Sequence, residues 1–340
     1  MLRDLQLRNF RCFESKAVEF GPGFNFIVGP NGRGKTSMLE GACVLLRLQS
    51  QRSTSLAPAI RIGERSFVLS GQAEGHLLQF YYSALRRKVA FDGIEQRDLA
   101  EYLQLIQVVS FANHDLDLVR GPAELRRRYL DFIGAQVEAR YRPALRAYER
   151  ALRSRNALLK STQPRPRELV AYTEPLLRAG SLLRELRAKI VRRLAPWAAE
   201  SQRAIGGGTE TLAIEYAAGC EEDFGAHLKR ARPEEERLRL TTVGPHRDEL
   251  DLLVDGQPAA QFASEGQQRT LALALKLAQA RLFLDESGAP PLLLVDDIFG
   301  ELDGIRRNAL LAHLPNESQK LVTATSLDWR EGSWGNPILL

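Results

Sequence analysis

Over the first hundred residues, apolar positions either alternate with polar ones or run in short unbroken blocks. These are the patterns of half-buried and fully buried strands. Residues 2–7 alternate and predict a half-buried strand, and residues 24–28 read as a buried one. Residues 36–48 carry the apolar stripe of a helix. Strands are predicted at 66–71 and 77–82, turning at Gly75, at 88–91 before the Asp92-Gly93 turn, and at 107–111. From Gly121-Pro122 to about Ile205 the rhythm becomes helical, with leucines and alanines interleaved by arginines. Pro122 suits a first helical turn, and Pro164 and Pro166 divide the region into two long helical stretches. Gly206-Gly207-Gly208 ends it. Strand character returns at 212–216 and 249–254. An amphipathic helix over 264–284 is marked by Leu271, Leu275, Ala278 and Leu282, and short strands follow at 291–295 and 320–325.

Between the predicted strand and helix stands Gly29-Pro30-Asn31-Gly32-Arg33-Gly34-Lys35-Thr36-Ser37, which fills every position of G-x-x-x-x-G-K-[ST]. The glycines let the backbone form a concave nest whose N–H groups face phosphate oxygens. Residues Pro30, Asn31, Gly32, Arg33, Gly34, Lys35, Thr36 and Ser37 are therefore the expected nucleotide cradle. Lys35 reaches β- and γ-phosphates, the Thr36 hydroxyl suits magnesium, and the helix N-terminus adds its positive dipole end. A second element, Leu292-Leu293-Leu294-Val295-Asp296-Asp297, has the form of a Walker B strand delivering carboxylates at its C-terminal edge. Asp296 is expected to hold magnesium with Thr36, and Asp297 to polarise the attacking water. Many such ATPases carry glutamate there. Aspartate is one methylene shorter, so slower hydrolysis is expected. The plain alternative is two acids ending a core strand.

Ser264-Glu265-Gly266-Gln267 admits two readings. Ser264 is a good N-cap, and Gln267 completes a capping box. Equally, a serine, glycine and glutamine opening a helix upstream of Walker B mark the ATP-binding-cassette signature. There Ser264, Gly266 and Gln267 would grip the γ-phosphate bound by a second subunit. The spacing to Asp296 favours this second reading. Glu301-Leu302-Asp303 stands where such ATPases place a D-loop, although Asp303 could simply cap a helix. Thr325 occupies the place of the transporters' switch histidine.

The chain has 340 residues, 44% hydrophobic and 26% charged, as in an ordinary soluble protein. No apolar run approaches the ~20 residues that cross a bilayer. Three scattered cysteines suit a reducing cytoplasm and provide no disulfide or metal framework. The net charge of +5 is unevenly spread: residues 118–208 carry +12, leaving −7 for the remainder. This basic segment is either a polyanion-binding surface or a solvated helical face. Because the two phosphate-site motifs lie at opposite ends, one ATPase domain is expected to be split into 1–115 and 240–340 around an arginine-rich insert at 116–239. The predicted class is α/β: an ABC-ATPase-type (P-loop NTPase) domain with an inserted, mostly helical second lobe.

Several blocks together resemble the RecF family over essentially the whole length. They are Leu7-Arg8-Asn9-Phe10-Arg11, the stretch from Gly121 through Asp131, Gly244-Pro245-His246-Arg247-Asp248-Glu249-Leu250, and Ser264-Glu265-Gly266-Gln267-Gln268-Arg269-Thr270. The resemblance implies that Arg11 approaches the nucleotide and that Asn113, with His114 second, takes the Q-loop role. It implies ATP and Mg2+ as cofactors, an ATP-dependent homodimer, binding to double-stranded and gapped DNA, and slow DNA-stimulated hydrolysis. It also implies work with RecR and RecO in loading RecA, in replication-linked repair and SOS induction, in the cytoplasm and without a membrane partner. By charge alone, Arg126, Arg127, Arg128, Arg153, Arg155, Arg192 and Arg193 are candidates for DNA contact. A transporter's nucleotide-binding subunit would share the ATP site but not the basic insert, and a small-molecule kinase would leave the Ser264 block without use.

Overall fold

The computed structural model describes residues 1–53, 55–161, 166–208, 210–327 and 337–340; Pro164 lies outside them. In chain order the elements are β1 (Asp4–Phe10), β2 (Phe13–Glu19), β3 (Phe24–Val28), α1 (Lys35–Arg47), β4 (Ser66–Ala73), β5 (His76–Ser83), β6 (Arg87–Phe91), β7 (Ile94–Glu95), α2 (Ala100–Gln104) and β8 (Val108–Ala112). They continue with α3 (Asp117–Arg120), α4 (Ala123–Val137), α5 (Tyr141–Lys160), α6 (Pro166–Gly206), β9 (Leu212–Ala217), α7 (Phe224–Leu238), β10 (Glu249–Val254), β11 (Gln257–Pro258), α8 (Ala259–Phe262) and α9 (Glu265–Ser287). The last are β12 (Leu292–Asp296), α10 (Gly304–His313), β13 (Lys320–Ala324) and β14 (Ile338–Leu339). The chain divides into two compact units, Met1–Asp115 with Gln279–Leu340, and Leu116–Ala278. No helix among the described residues is long and apolar enough to cross a membrane.

The first unit holds two sheets. One is antiparallel, in the order β2-β1-β4-β5-β6-β7, and the other is parallel, in the order β14-β3-β13-β12-β8. Helix α1 packs against both. Its Gly41 admits β1 so closely that an added Cβ would lie 2.4 Å from Leu7 Cδ2. The parallel strands are covered on both faces, which is why their sequences are mostly apolar: every residue of β13 is buried, and all of β12 except Asp296. The sheet's parallel order brings the C-terminal ends of β3, β8, β12 and β13 to one edge. Ligands bind outside that edge in open α/β sheets.

The second unit combines helices with the three-stranded antiparallel sheet β11-β10-β9. It runs to Ala278, past the residue 239 expected from composition. Pairing of β10 with β9 draws the later segment in, and the Tyr129 hydroxyl of α4 donates to the Leu275 carbonyl of α9 at 2.7 Å. The helical region has three long helices rather than two stretches, because α4 stops at Val137 and Glu138 turns extended. Gly134 makes room for the turn: a Cβ there would meet the Tyr141 ring at 2.4 Å. Pro122 takes the N-cap of α4 rather than its first turn. Pro175 and Pro196 lie inside α6 without ending it. Each interior proline costs roughly 3 kcal/mol. Leu176, Leu183, Leu186 and Leu194 are fully buried along the helix, each contributing roughly 1.5–3 kcal/mol, so burial wins. Helix α9 is not amphipathic: every residue from Thr270 to Ala280 is buried, including Lys276 and Gln279. An apolar stripe identified one covered face, but this helix is covered all round.

Buried arginines organise this second unit. Arg187, 3% exposed, donates to Asp248 Oδ2 at 2.7 Å, to Asp131 Oδ1 at 2.8 Å and to the Tyr141 hydroxyl at 3.0 Å. Arg155, on charge alone a candidate for DNA contact, is 2% exposed and donates to Glu235 Oε2 and Thr241 Oγ1, each at 2.6 Å. Arg126 makes a bidentate pair with Glu249 at 2.6 and 2.8 Å, and Arg127 donates to the Asp248 carbonyl at 2.8 Å. Truncating one member of a buried pair strands the other charge. Arg155→Ala is therefore expected to lower unfolding free energy by about 3–5 kcal/mol. A denaturant titration checks this, and a loss below ~1 kcal/mol would show that Glu235 is satisfied without its partner.

Candidate nucleotide site

The loop between β3 and α1 has the backbone that its glycines predict. Gly32 and Gly34 have φ of 82° and 96°, values that L side chains rarely adopt. Gly34 caps α1, and a Cβ on it would come within 2.5 Å of Phe13 Cζ and 2.6 Å of Cys12 Sγ. Pro30, Asn31, Gly32 and Arg33 form the exposed crest, while Lys35 is buried and Thr36 and Ser37 are half-buried in the first turn of α1. Lys35 Nζ donates to the Gly29 carbonyl at 2.7 Å, the Pro30 carbonyl at 3.1 Å and Asn31 Oδ1 at 3.3 Å. The cation is thus held by the loop that it would serve.

At the same sheet edge, the Thr36 hydroxyl donates to Asp296 Oδ1 at 2.9 Å, joining the two motifs across 260 residues of sequence. Thr323 on β13 donates to the same oxygen at 2.8 Å. Asp297 follows with a left-handed φ of 52°, and its amide donates to Thr323 Oγ1 at 2.9 Å. Burial lifts the Asp297 carboxyl above its ordinary range; Lys35 opposes this, while Asp296 and Glu301 add to it. Asn113 Nδ2 donates to Glu301 Oε1 at 2.7 Å, so the Q-loop and D-loop candidates touch.

Arg11 lies in the turn between β1 and β2. Its guanidinium donates to both Glu40 oxygens at 2.8 and 2.7 Å and to the Pro58 carbonyl at 2.7 Å. The buried Glu40 carboxylate also accepts from Ser50 Oγ at 2.6 Å. Neither Glu40 nor Thr323 was singled out by the sequence. A lone threonine within the apolar run Leu321-Val322-Thr323-Ala324 was the available signal for the second.

In the second unit, Ser264 and Gln267 form a reciprocal capping box at the start of α9. The Gln267 amide donates to Ser264 Oγ at 3.3 Å, and the Ser264 amide to Gln267 Oε1 at 2.6 Å. Gln267 Nε2 donates to Glu210 Oε1, and Gln202 Nε2 to Glu210 Oε2, both at 2.9 Å. Gly266 lies in the first turn, where helical amides have no intrahelical acceptor. Ser264 itself is exposed.

Magnesium takes oxygen donors and usually keeps several waters alongside one or two carboxylates and substrate phosphates. Asp296 and the Thr36 hydroxyl fit that donor set, with Asp296 Oδ2 outside the two hydroxyl bonds. Among the described residues no group of three or more His, Cys, Asp or Glu is placed to hold a metal unaided.

A phosphate loop, an acidic strand end and a signature-type helix start define an ABC-type ATPase fold. The model for the RecF/RecN/SMC N-terminal domain matches residues 1–331. At the level of fold alone, the Smc head domain of Pyrococcus furiosus superposes with a TM-score of 0.52 at 15% identity, covering 96% of this chain and 89% of that one. The chain belongs to the RecF family. It is 36% identical to the DNA replication and repair protein RecF of Gloeobacter violaceus, covering 98% of this chain and 94% of that protein. A solved structure of the recombination mediator protein RecF with ATP, of the RecFOR pathway, superposes with a TM-score of 0.87 at 26% identity, covering 97% and 93% of the two chains.

Proposed function

We propose that this chain is an ATP-dependent DNA-binding protein of replication-linked gap repair and recombination. The observation that carries the reading is the Thr36–Asp296 bond, which brings the phosphate loop and the acidic strand end together in a RecF-family chain. In this reading Lys35 and the loop amides hold the triphosphate, while Thr36 and Asp296 hold Mg2+, which supplies charge neutralisation when bound. Asp297 orients the attacking water, with Asn113 and Glu301 beside it. Ser264, Gly266 and Gln267 of a second copy complete the γ-phosphate contacts, so ATP assembles a homodimer. Arg11, held by Glu40, fixes the β1–β2 turn beside the loop.

DNA contact falls to the exposed basic side chains of α5 and α6. Arg146, Arg150 and Arg153 recur at helical spacing along one, and Arg178, Arg192 and Arg203 along the other. Arg155 is excluded by its burial against Glu235. The dimer binds double-stranded and gapped DNA, hydrolyses ATP slowly and faster with DNA, and acts with RecR and RecO in RecA loading and SOS induction.

The test is Asp297→Asn. Turnover is expected to fall by about a hundredfold or more while ATP and DNA binding persist and ATP-bound dimers accumulate, as read by phosphate release and light scattering. Since the folded pKa of Asp297 lies above its unfolded value, its contribution to stability is present at low pH and lost as pH rises through the folded pKa. The asparagine variant is therefore expected to melt slightly higher at neutral pH, and the parent's hydrolysis to fall away on acidification earlier than an ordinary aspartate would dictate. Unchanged turnover in the variant removes Asp297 from the mechanism.

A further inference from the structure

We propose that Thr323 is a positioning residue of the ATP site, a single hydroxyl that fixes both acidic residues at the end of β12; the inference rests on the ATPase reading above. Thr323 is 1% exposed on a strand whose other residues are also buried. A hydroxyl in such a strand costs free energy unless it is paired, and valine would fill the same space without that cost. Thr323 stands in register with Asp296 across the parallel pair β12–β13. Its Oγ1 donates to Asp296 Oδ1 at 2.8 Å and accepts from the Asp297 amide at 2.9 Å, while the Val295 carbonyl lies at a looser 3.5 Å. The single hydroxyl proton goes to the carboxylate and a lone pair faces the amide, so the chain of donors runs from Asp297 through Thr323 to Asp296.

Two consequences follow from this geometry. Asp297 is a non-glycine residue at φ 52°, a conformation costing roughly 1–2 kcal/mol that persists only where its surroundings impose it. The bond from its amide to Thr323 is one such constraint, and it sets where the Asp297 carboxylate points. Asp296 Oδ1 accepts from two hydroxyls, Thr36 on the phosphate loop side and Thr323 on the sheet side. The sheet-side bond anchors the carboxylate to the rigid strand independently of the loop. Without it, Thr36 is the one remaining partner of Asp296 among the described residues, and the Asp297 amide loses its bond to Thr323 in a half-buried site.

The experiment compares Thr323→Val and Thr323→Ser in the full chain. Thr323→Val is expected to lower kcat for ATP about tenfold with KM within about threefold, since a lost hydrogen bond is worth about one factor of ten. Thr323→Ser restores kcat to within about twofold. A second readout needs neither nucleotide nor metal. Amide hydrogen exchange at Asp297 is expected to quicken about tenfold in the valine variant and to match the parent in the serine variant. A packing role alone would instead lower the melting temperature and leave the valine and serine variants in the opposite order, because serine removes the methyl group. Parent-like kcat and exchange in Thr323→Val overturn the proposal, as does a serine variant as impaired as the valine one. If the parent itself fails to hydrolyse ATP, the ATPase reading fails, and the clamp on the two acids stands or falls on the exchange measurement alone.

Discussion

Lys35→Met is expected to weaken ATP binding at least a hundredfold and to leave the protein monomeric with ATP. Lys35 is 6% exposed, and its ammonium is already held by the Gly29 and Pro30 carbonyls and Asn31. The ammonium therefore arrives at the phosphates oriented and partly desolvated, so little further ordering is needed when ATP binds. A hydrogen bond to a charged group contributes about 1.5–3 kcal/mol, and removing two such bonds to phosphate corresponds to a hundredfold or more in affinity. Methionine keeps most of the aliphatic stem, so α1 and its packing should persist. The substitution also removes the charge that opposes the elevation of the Asp297 pKa, pushing that carboxyl further up. Calorimetric titration with ATP and sedimentation velocity provide the measurements. A Lys35→Met protein that still assembles normally with ATP would mean that the triphosphate is not what holds two copies together.

Ser264→Arg is expected to separate binding from assembly: one protomer still takes up ATP, but the ATP-driven dimer is lost. Ser264 is exposed, and among the described residues its side chain closes a capping box with Gln267. Loss of that cap costs about 1 kcal/mol, too little to unfold a domain of ordinary stability. In the proposed dimer, an arginine at the tip would meet the opposing copy's phosphate loop with bulk instead of a small hydroxyl donor. Ser264→Ala serves as the reference, since it removes the cap and the hydroxyl without adding bulk. Sedimentation equilibrium with and without ATP decides between the outcomes. If the arginine variant dimerises as the parent does, the serine is a cap and nothing more.

The sequence disclosed those parts of the structure whose physics is local. The run from Gly29 to Ser37 declares its loop because each residue type answers a short-range requirement, and Gly34 has φ 96° as its place in the motif demands. Strands β3 and β12 were legible as largely apolar runs because both faces of a parallel sheet are covered. The turns at Gly75 and Asp92-Gly93 follow from left-handed backbone at 85°, 50° and 80°.

What escaped depends on partners distant in the chain. The burial of Arg155 follows from Glu235, eighty residues away, and nothing near Arg155 distinguishes it from the exposed Arg153. The all-round burial of α9 and the interruption between α4 and α5 are likewise set by tertiary packing, the second by a Tyr141 ring seated on Gly134. The family resemblance implied a nucleotide role for Arg11, but its engagement by Glu40 was not legible, because Glu40 reads locally as one more polar residue on a helix.

Cys12 is the exposed one of the three cysteines, Cys43 and Cys220 being buried. Its sulfur rests against Gly34 of the phosphate loop. A maleimide fluorophore offered to the unmodified protein would therefore attach beside the nucleotide cradle without any engineered substitution. The native chain carries its own optical handle, suited to following occupancy of the loop in real time with the other two thiols left intact as internal standards.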